Sequence, residues 1–215
     1  MSTLIASAMT RVGELLFVGG ALVGNDRVAE RSRWGYGDDR VVGLAVVAEV
    51  GADLAASALT LLRAGHRYAA MALLRQIVET EYLTWAFAHD TEEARRWPNA
   101  DDDELRNFFS PRELRRRSQG AFRVEEYRSH CAVGGHPSPK SRSLLSSHSA
   151  AVPVDWLWTD LAMHLSRLWP LLMDAVDNVG MSSVVADVQV LVASNLGTLS
   201  GEWDADLPWP TPEGE

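Results

Sequence analysis

The stretch from His66 to Asp90 reads HRYAAMALLRQIVETEYLTWAFAHD, and its periodicity decides the fold. At 100° per residue, Met71, Leu74, Val78, Tyr82 and Trp85 share one face, while Leu73, Ile77, Leu83 and Phe87 cover the other sides. A helix that is apolar nearly all round belongs at the centre of a bundle. Arg75 falls among Met71, Val78 and Tyr82, with Glu79 one turn further on. Burying an ion pair costs free energy unless neighbours satisfy both charges. This pair therefore calls for polar partners elsewhere in the chain.

Moving outward, apolar residues recur at three- and four-residue spacing and strand-like alternation is rare. A first helix is expected over Thr3 to Val23, weakened by Gly19-Gly20, and a polar, glycine-rich connection over Gly24 to Asp38. A long helix from Asp39 to Arg63 should end at Ala64-Gly65, where glycine supplies a left-handed cap. Beyond the central helix, Asp90 to Glu104 is charged and broken at Trp97-Pro98-Asn99. Its run Asp101-Asp102-Asp103 reads as a solvated loop or a helix start. Ser110-Pro111-Arg112-Glu113 combines a cap, a first-turn proline and a capping-box glutamate, so a short helix should run from there to about Gly120. Another is expected over Phe122 to Val133, stopping at Gly134-Gly135, and a loop with at most one turn over His136 to Val152. Val154 to Val179 carries a leucine stripe and a kinking Pro170, and Ser182 to Leu196 closes the set. The expected architecture is an all-α, up-down bundle of five to seven helices spanning residues 1–200. A flexible, acidic, proline-rich tail should follow over 201–215.

The chain has 215 residues, long enough for one domain with a substantial core, and a formal net charge of −9. That balance argues against non-specific coating of DNA, since such affinity grows with the number of phosphates neutralised. One region departs from it. Between Ser110 and Arg142 lie Arg112, Arg115, Arg116, Arg117, Arg123, Arg128, Lys140 and Arg142, opposed only by Glu113, Glu125 and Glu126. This segment is a candidate contact for RNA, although Arg115-Arg116-Arg117 alone fits a solvated helix face equally well. The single cysteine, Cys131, precludes an intrachain disulfide and suits a reducing cytoplasm. The opening residues lack a basic region before their apolar run, and Val41 to Leu62 is interrupted by Glu49 and Asp53. Neither a secretory signal nor a membrane span is expected.

Some forty-five residues after Glu79 comes EEYRSHCAVGGHPSP, with Tyr127, Arg128, His130, Cys131 and His136. A catalytic reading makes a histidine the general acid or base and an arginine the stabiliser of phosphate charge. The alternative makes His136 an anchor that bonds a neighbouring helix. In either case Arg75 and Glu79 should meet the Tyr127–His136 segment. No HExxH, CxxC or Glu-x-x-His pair is present, so neither a metal nor a cofactor is expected. His66, His89, His148 and His164 stand singly and read as structural or surface residues. A nucleophile elbow and a glycine-rich phosphate loop are both absent.

Residues Leu61 to Pro139 resemble an all-helical bacterial family known as a domain of unknown function. The resemblance is carried by Leu73-Leu74-Arg75 with Glu79, by Trp85, by Asp90-Thr91-Glu92-Glu93-Ala94-Arg95-Arg96-Trp97, by Tyr127 with His130, and by His136-Pro137-Ser138. That family is similar in layout to the HEPN superfamily, whose members include ribonuclease toxins, antiphage effectors and non-catalytic proteins. The resemblance implies a cytoplasmic homodimer acting on RNA, with His136 as base and Arg128 as phosphate stabiliser. His130 would assist, and Arg75, Glu79 and Tyr127 would support the site. Seven residues separate Arg128 from His136, a wider interval than the superfamily's arginine–histidine motif. A non-enzymatic helical module that binds a partner protein or a small ligand stands as the alternative.

Overall fold

The computed structural model describes residues 1–145 and 154–196, and the described residues are all-α with no strand. Five long helices carry the bundle: α1 (Ser2–Leu22), α2 (Asp39–Arg63), α3 (Arg67–His89), α8 (Val154–Asn178) and α9 (Ser182–Leu196). Between α3 and α8 lie α4 (Thr91–Asn99), α5 (Asp102–Asn107), α6 (Pro111–Arg117) and α7 (Val124–His130). A π turn over Cys131–Gly135 and a 3-10 turn over Pro139–Leu144 follow α7. The number of helices exceeds the five to seven expected, because the charged region after α3 is itself helical. The flexible tail expected over 201–215 lies outside the described residues, as do residues 146–153 of the expected loop.

Local chemistry accounts for these short helices. Asp90 accepts from the Glu92 backbone N–H and Asp101 from that of Glu104, so each of α4 and α5 starts on an aspartate cap. Ser110 Oγ accepts from Glu113 N at 3.4 Å, which realises the expected start of α6. In α4, Glu92 and Glu93 occupy the first turn and Arg96 the last, matching the helix dipole. Pro98 sits in the final turn, where the helix is ending in any case.

The core follows the expected arrangement. Helix α2 lies between α1 and α3, α3 packs on α8, and α9 packs on α1. On α2 the buried side includes Ala45, Ala48, Ala52 and Ala55, small residues that let neighbouring helices approach. By length and composition α1 and α2 could each cross a membrane, and 44% and 61% of their most apolar windows are buried in the bundle. The connection between α1 and α2 is pinned by Asp26. Its Oδ2 accepts from the Asp39 backbone at 3.0 Å and from Arg95 Nε at 3.2 Å, tying the loop to α2 and α4. On α3 the most deeply buried residues include Met71, Leu74, Ile77, Val78, Tyr82 and Phe87. Against this helix the segment α6–α7–π turn packs as a cover.

Candidate functional site

Two polar junctions form where α7 crosses α3, one on each flank. At the first, Arg75 Nε donates to Glu79 Oε1 at 3.1 Å and Tyr127 Oη donates to the same oxygen at 2.7 Å. Arg75 also donates to Tyr127 Oη at 3.3 Å, closing a triangle, and the Arg115 guanidinium lies 4.3 Å from the centre of the Tyr127 ring. The expected meeting of Arg75 and Glu79 with Tyr127 is therefore present. Its location differs from expectation. The side chains of Arg75 and Glu79 are 24% and 28% exposed, so the pair sits at the rim of the bundle rather than inside it. Partial burial, and then the bond to Glu79, push the Tyr127 hydroxyl up to about 12.

The second junction is sealed. His130 ends α7, and Asp160 and His164 stand one turn apart on α8; all three are at most 3% exposed. His130 Nε2 lies 3.0 Å from Asp160 Oδ2, and its Nδ1 lies 2.8 Å from the Glu126 carbonyl. His164 Nδ1 lies 2.7 Å from Oε2 of Glu81, a buried carboxylate on α3. The other nitrogen of His164 has Asp160 Oδ1 at 3.5 Å and Glu126 Oε1 at 3.6 Å, and neither contact forms a hydrogen bond. Arg167 reaches Glu126 Oε1 at 2.8 Å from the solvent side. The two imidazole rings meet edge to face with centroids 5.1 Å apart.

Electrostatics in this pocket oppose burial and win. Burial disfavours a charged His164, yet attraction to Asp160 and then to Glu81 raises its pKa to about 10. Burial likewise disfavours ionised Asp160, but His130 and His164 hold its carboxyl well below the usual range. Among the described residues, His130, Asp160 and His164 are the group whose ligand atoms, all within 4.8 Å of one another, could hold a metal ion.

The sequence-derived candidates thus separate. Arg75, Glu79 and Tyr127 form one junction and His130 belongs to the other. Arg128 and His136 are both exposed, and among the described residues no hydrogen bond or ion pair joins them to each other or to Arg75 or Glu79. The expectation that Arg75 and Glu79 meet the whole Tyr127–His136 segment therefore holds for Tyr127 and fails for His136. Solvation offers His136 what a buried anchor would need from protein, so nothing pulls it inward. His164, read as a structural or surface residue, is buried at the heart of the second junction.

Asp160 and Glu81 escaped the sequence reading, and His164 and Glu126 were named without being joined to a site, although a signal for three of the four was present. Counted from Leu157, Asp160 and His164 fall at i+3 and i+7, one residue before Leu161 and Leu165 and bordering the leucine stripe of α8. Counted from Leu74, Glu81 falls at i+7 on the stripe of Ile77 and Val78. Polar residues at or beside stripe positions mark buried polar contacts more directly than apolar neighbours in sequence do. A shallow groove of about 190 Å³ between α1 and α2, lined in part by Thr3, Ser7, Thr10 and Arg63, shares no residue with either junction. No protein-family profile, no curated protein and no solved structure matches this chain.

Proposed function

We propose that this chain is a HEPN-like helical module that engages RNA in the cytoplasm through its basic segment, Arg112 to Arg142. One observation supports the reading above others. Arg112, Arg123, Arg128, Lys140 and Arg142 are all exposed, and among the described residues no carboxylate forms an ion pair with any of them. In a chain of net charge −9, an unneutralised cationic segment concentrates attraction for phosphate in one place. Within this reading, Arg128 stabilises phosphate charge and His136 acts as base, because both reach solvent and a substrate could reach them. His130 leaves the catalytic set, since it is enclosed. Arg75, Glu79 and Tyr127 hold α7, and with it Arg128, against α3. A role in toxin action or antiphage defence belongs to the same proposal and rests on the resemblance.

The test is titration of a single-stranded RNA by fluorescence anisotropy over a range of salt concentrations. Replacing Arg128, Lys140 and Arg142 together by alanine should flatten the log–log salt dependence by about two, since each single-strand phosphate contact contributes roughly 0.7. An unchanged slope, or no binding by the wild type, would overturn the RNA reading. Cleavage is tested separately with His136→Ala, which should bind RNA and fail to cut it. Equal cutting would strip His136 of the role of base, and no cutting by either protein limits the function to binding.

A second reading, a non-enzymatic module that binds a partner protein or pairs as a homodimer, is favoured by α9. There Val190 and Leu191 are 68% and 53% exposed, with Val184 also open to solvent. Light scattering at micromolar concentration tests the pairing, and a monomer would count against it.

A further inference from the structure

We propose that His130, Asp160 and His164 bind one divalent first-row transition ion of zinc-like chemistry, an ion that fastens α7 to α8. The argument begins with the protons. The Glu126 carbonyl can only accept, so the 2.8 Å contact places a proton on His130 Nδ1. Ionised Glu81 can only accept as well, so the 2.7 Å contact places one on His164 Nδ1. Both histidines are thereby oriented with Nε2 toward Asp160, and the second proton that His164 holds is the one a metal ion would displace from Nε2. Bonding of the remote nitrogen to a carbonyl or carboxylate is the outer-shell arrangement that orients histidine ligands.

Both Nε2 atoms then converge on one carboxylate, at 3.0 Å from Asp160 Oδ2 and 3.5 Å from Oδ1. A lone pair facing a carboxylate oxygen is repulsive, so each nitrogen needs either a second proton or a shared cation. His164 Nε2 is buried without a hydrogen-bond partner, aimed between Asp160 and Glu126. Around a tetrahedral ion with bonds of about 2.0–2.1 Å, neighbouring ligand atoms lie roughly 3.3 Å apart. The two nitrogen–carboxylate separations lie on either side of that value, and the three groups lie within 4.8 Å of one another, so binding draws the imidazoles slightly together. Glu126 Oε1, 3.6 Å from His164 Nε2, is in reach as a fourth ligand.

Charge points the same way. Once His164 gives up its second proton to the ion, Glu81, Asp160 and Glu126 contribute three negative charges and Arg167 one positive, and a dication brings these groups to neutrality. Two imidazoles with carboxylate oxygens suit zinc or its first-row neighbours, whereas magnesium and calcium prefer sites built from oxygen alone. The enclosure decides the role. With its ligands at most 3% exposed, excepting the partly exposed Glu126, the site leaves no position open to a substrate, which is the pattern of a structural ion.

The experiment uses the full chain stripped with chelator, then given Zn²⁺ or Co²⁺ and desalted. One equivalent of zinc should remain per chain, the thermal midpoint should rise by several degrees, and Co²⁺ should give the intense visible bands of a tetrahedral site. Asp160→Asn and His164→Gln should abolish all three effects, and His136→Ala should leave them intact. Zinc well below one equivalent, or one equivalent that survives both substitutions, would overturn the proposal. Should either substitution prevent folding, ¹⁵N-histidine NMR of the wild type decides. Zinc should shift Nε2 of two of the six histidines and leave their Nδ1 atoms protonated; the absence of any such shift would equally overturn it.

Discussion

Glu79 and Glu81 stand two residues apart on α3 and live in different worlds. Two residues turn a helix by about 200°, so Glu79 faces the rim and Glu81 faces α8. Glu79 shares its charge with Arg75 and Tyr127 in a place that water also reaches. Glu81 is 2% exposed and depends on His164. Helix α7 grips both sides, with Tyr127 on the first and His130, three residues on, at the second. The lesson is that the same side chain on the same helix can be decorative or indispensable, and that angular position decides which.

The sharpest way to break this comparison is to remove the imidazole that Glu81 relies on. His164→Ala leaves a buried carboxylate uncompensated and should cost about 3–5 kcal/mol, read from urea unfolding. A loss below 1 kcal/mol would mean that the two flanks are equivalent after all. Acidity should separate them next. Since the pKa of folded His164 lies near 10 against an ordinary 6.5, its protonated form stabilises the fold fully below about pH 6.5 and progressively less as pH rises toward 10. Asp160 has the opposite sign, its contribution being complete above its ordinary 3.8 and lost as pH falls further. Glu81 on α3, Glu126 and His130 on α7, and Arg167 on α8 face the same pocket. Chelator-treated protein should therefore be most stable between about pH 4 and 6.5, and His164→Gln should flatten the alkaline decline. A decline that survives this substitution would place its origin elsewhere.

A smaller effect tests how α7 is seated between the two flanks. A Cβ on Gly134 would fall 2.7 Å from the Met71 carbonyl carbon, an obstacle that cannot swing aside as a flexible side chain would. Gly134→Ala should cost about 1–3 kcal/mol in chemical denaturation. At the rim the expected changes are smaller still. Tyr127→Phe removes hydrogen bonds to partly solvated partners and should cost roughly 1 kcal/mol, and Glu79→Gln less than about 1 kcal/mol. If Glu79→Gln proved as damaging as His164→Ala, the contrast drawn between the flanks would collapse.

The sequence rendered the long helices well because they are governed by periodicity. The bounds of α2 and α9 match expectation, and Gly65, at φ +81°, ends the first of these as its position suggested. Helix α4 was harder to see, since its charged sequence shows no apolar stripe while its stability comes from a cap, a dipole match and a docked Ala94. The Arg75–Glu79–Tyr127 junction was legible from spacing alone. Its exposure was not, because apolar neighbours along a helix do not report what covers its flank. The sealed junction was harder again. It draws on α3, α7 and α8, and single residues reveal such a meeting only after the helices have been placed.

The bond from Glu81 to His164 spans 83 residues of chain. A ribosome releasing this protein exposes α3 well before the imidazole that its core-facing acid needs. Until α8 emerges, α3 carries an ionised group where the finished bundle is dry, and early burial of that face is penalised. The half-made chain is thus held back from closing on itself, and the arrival of one late helix both fills the core and supplies the partner that offsets the charge.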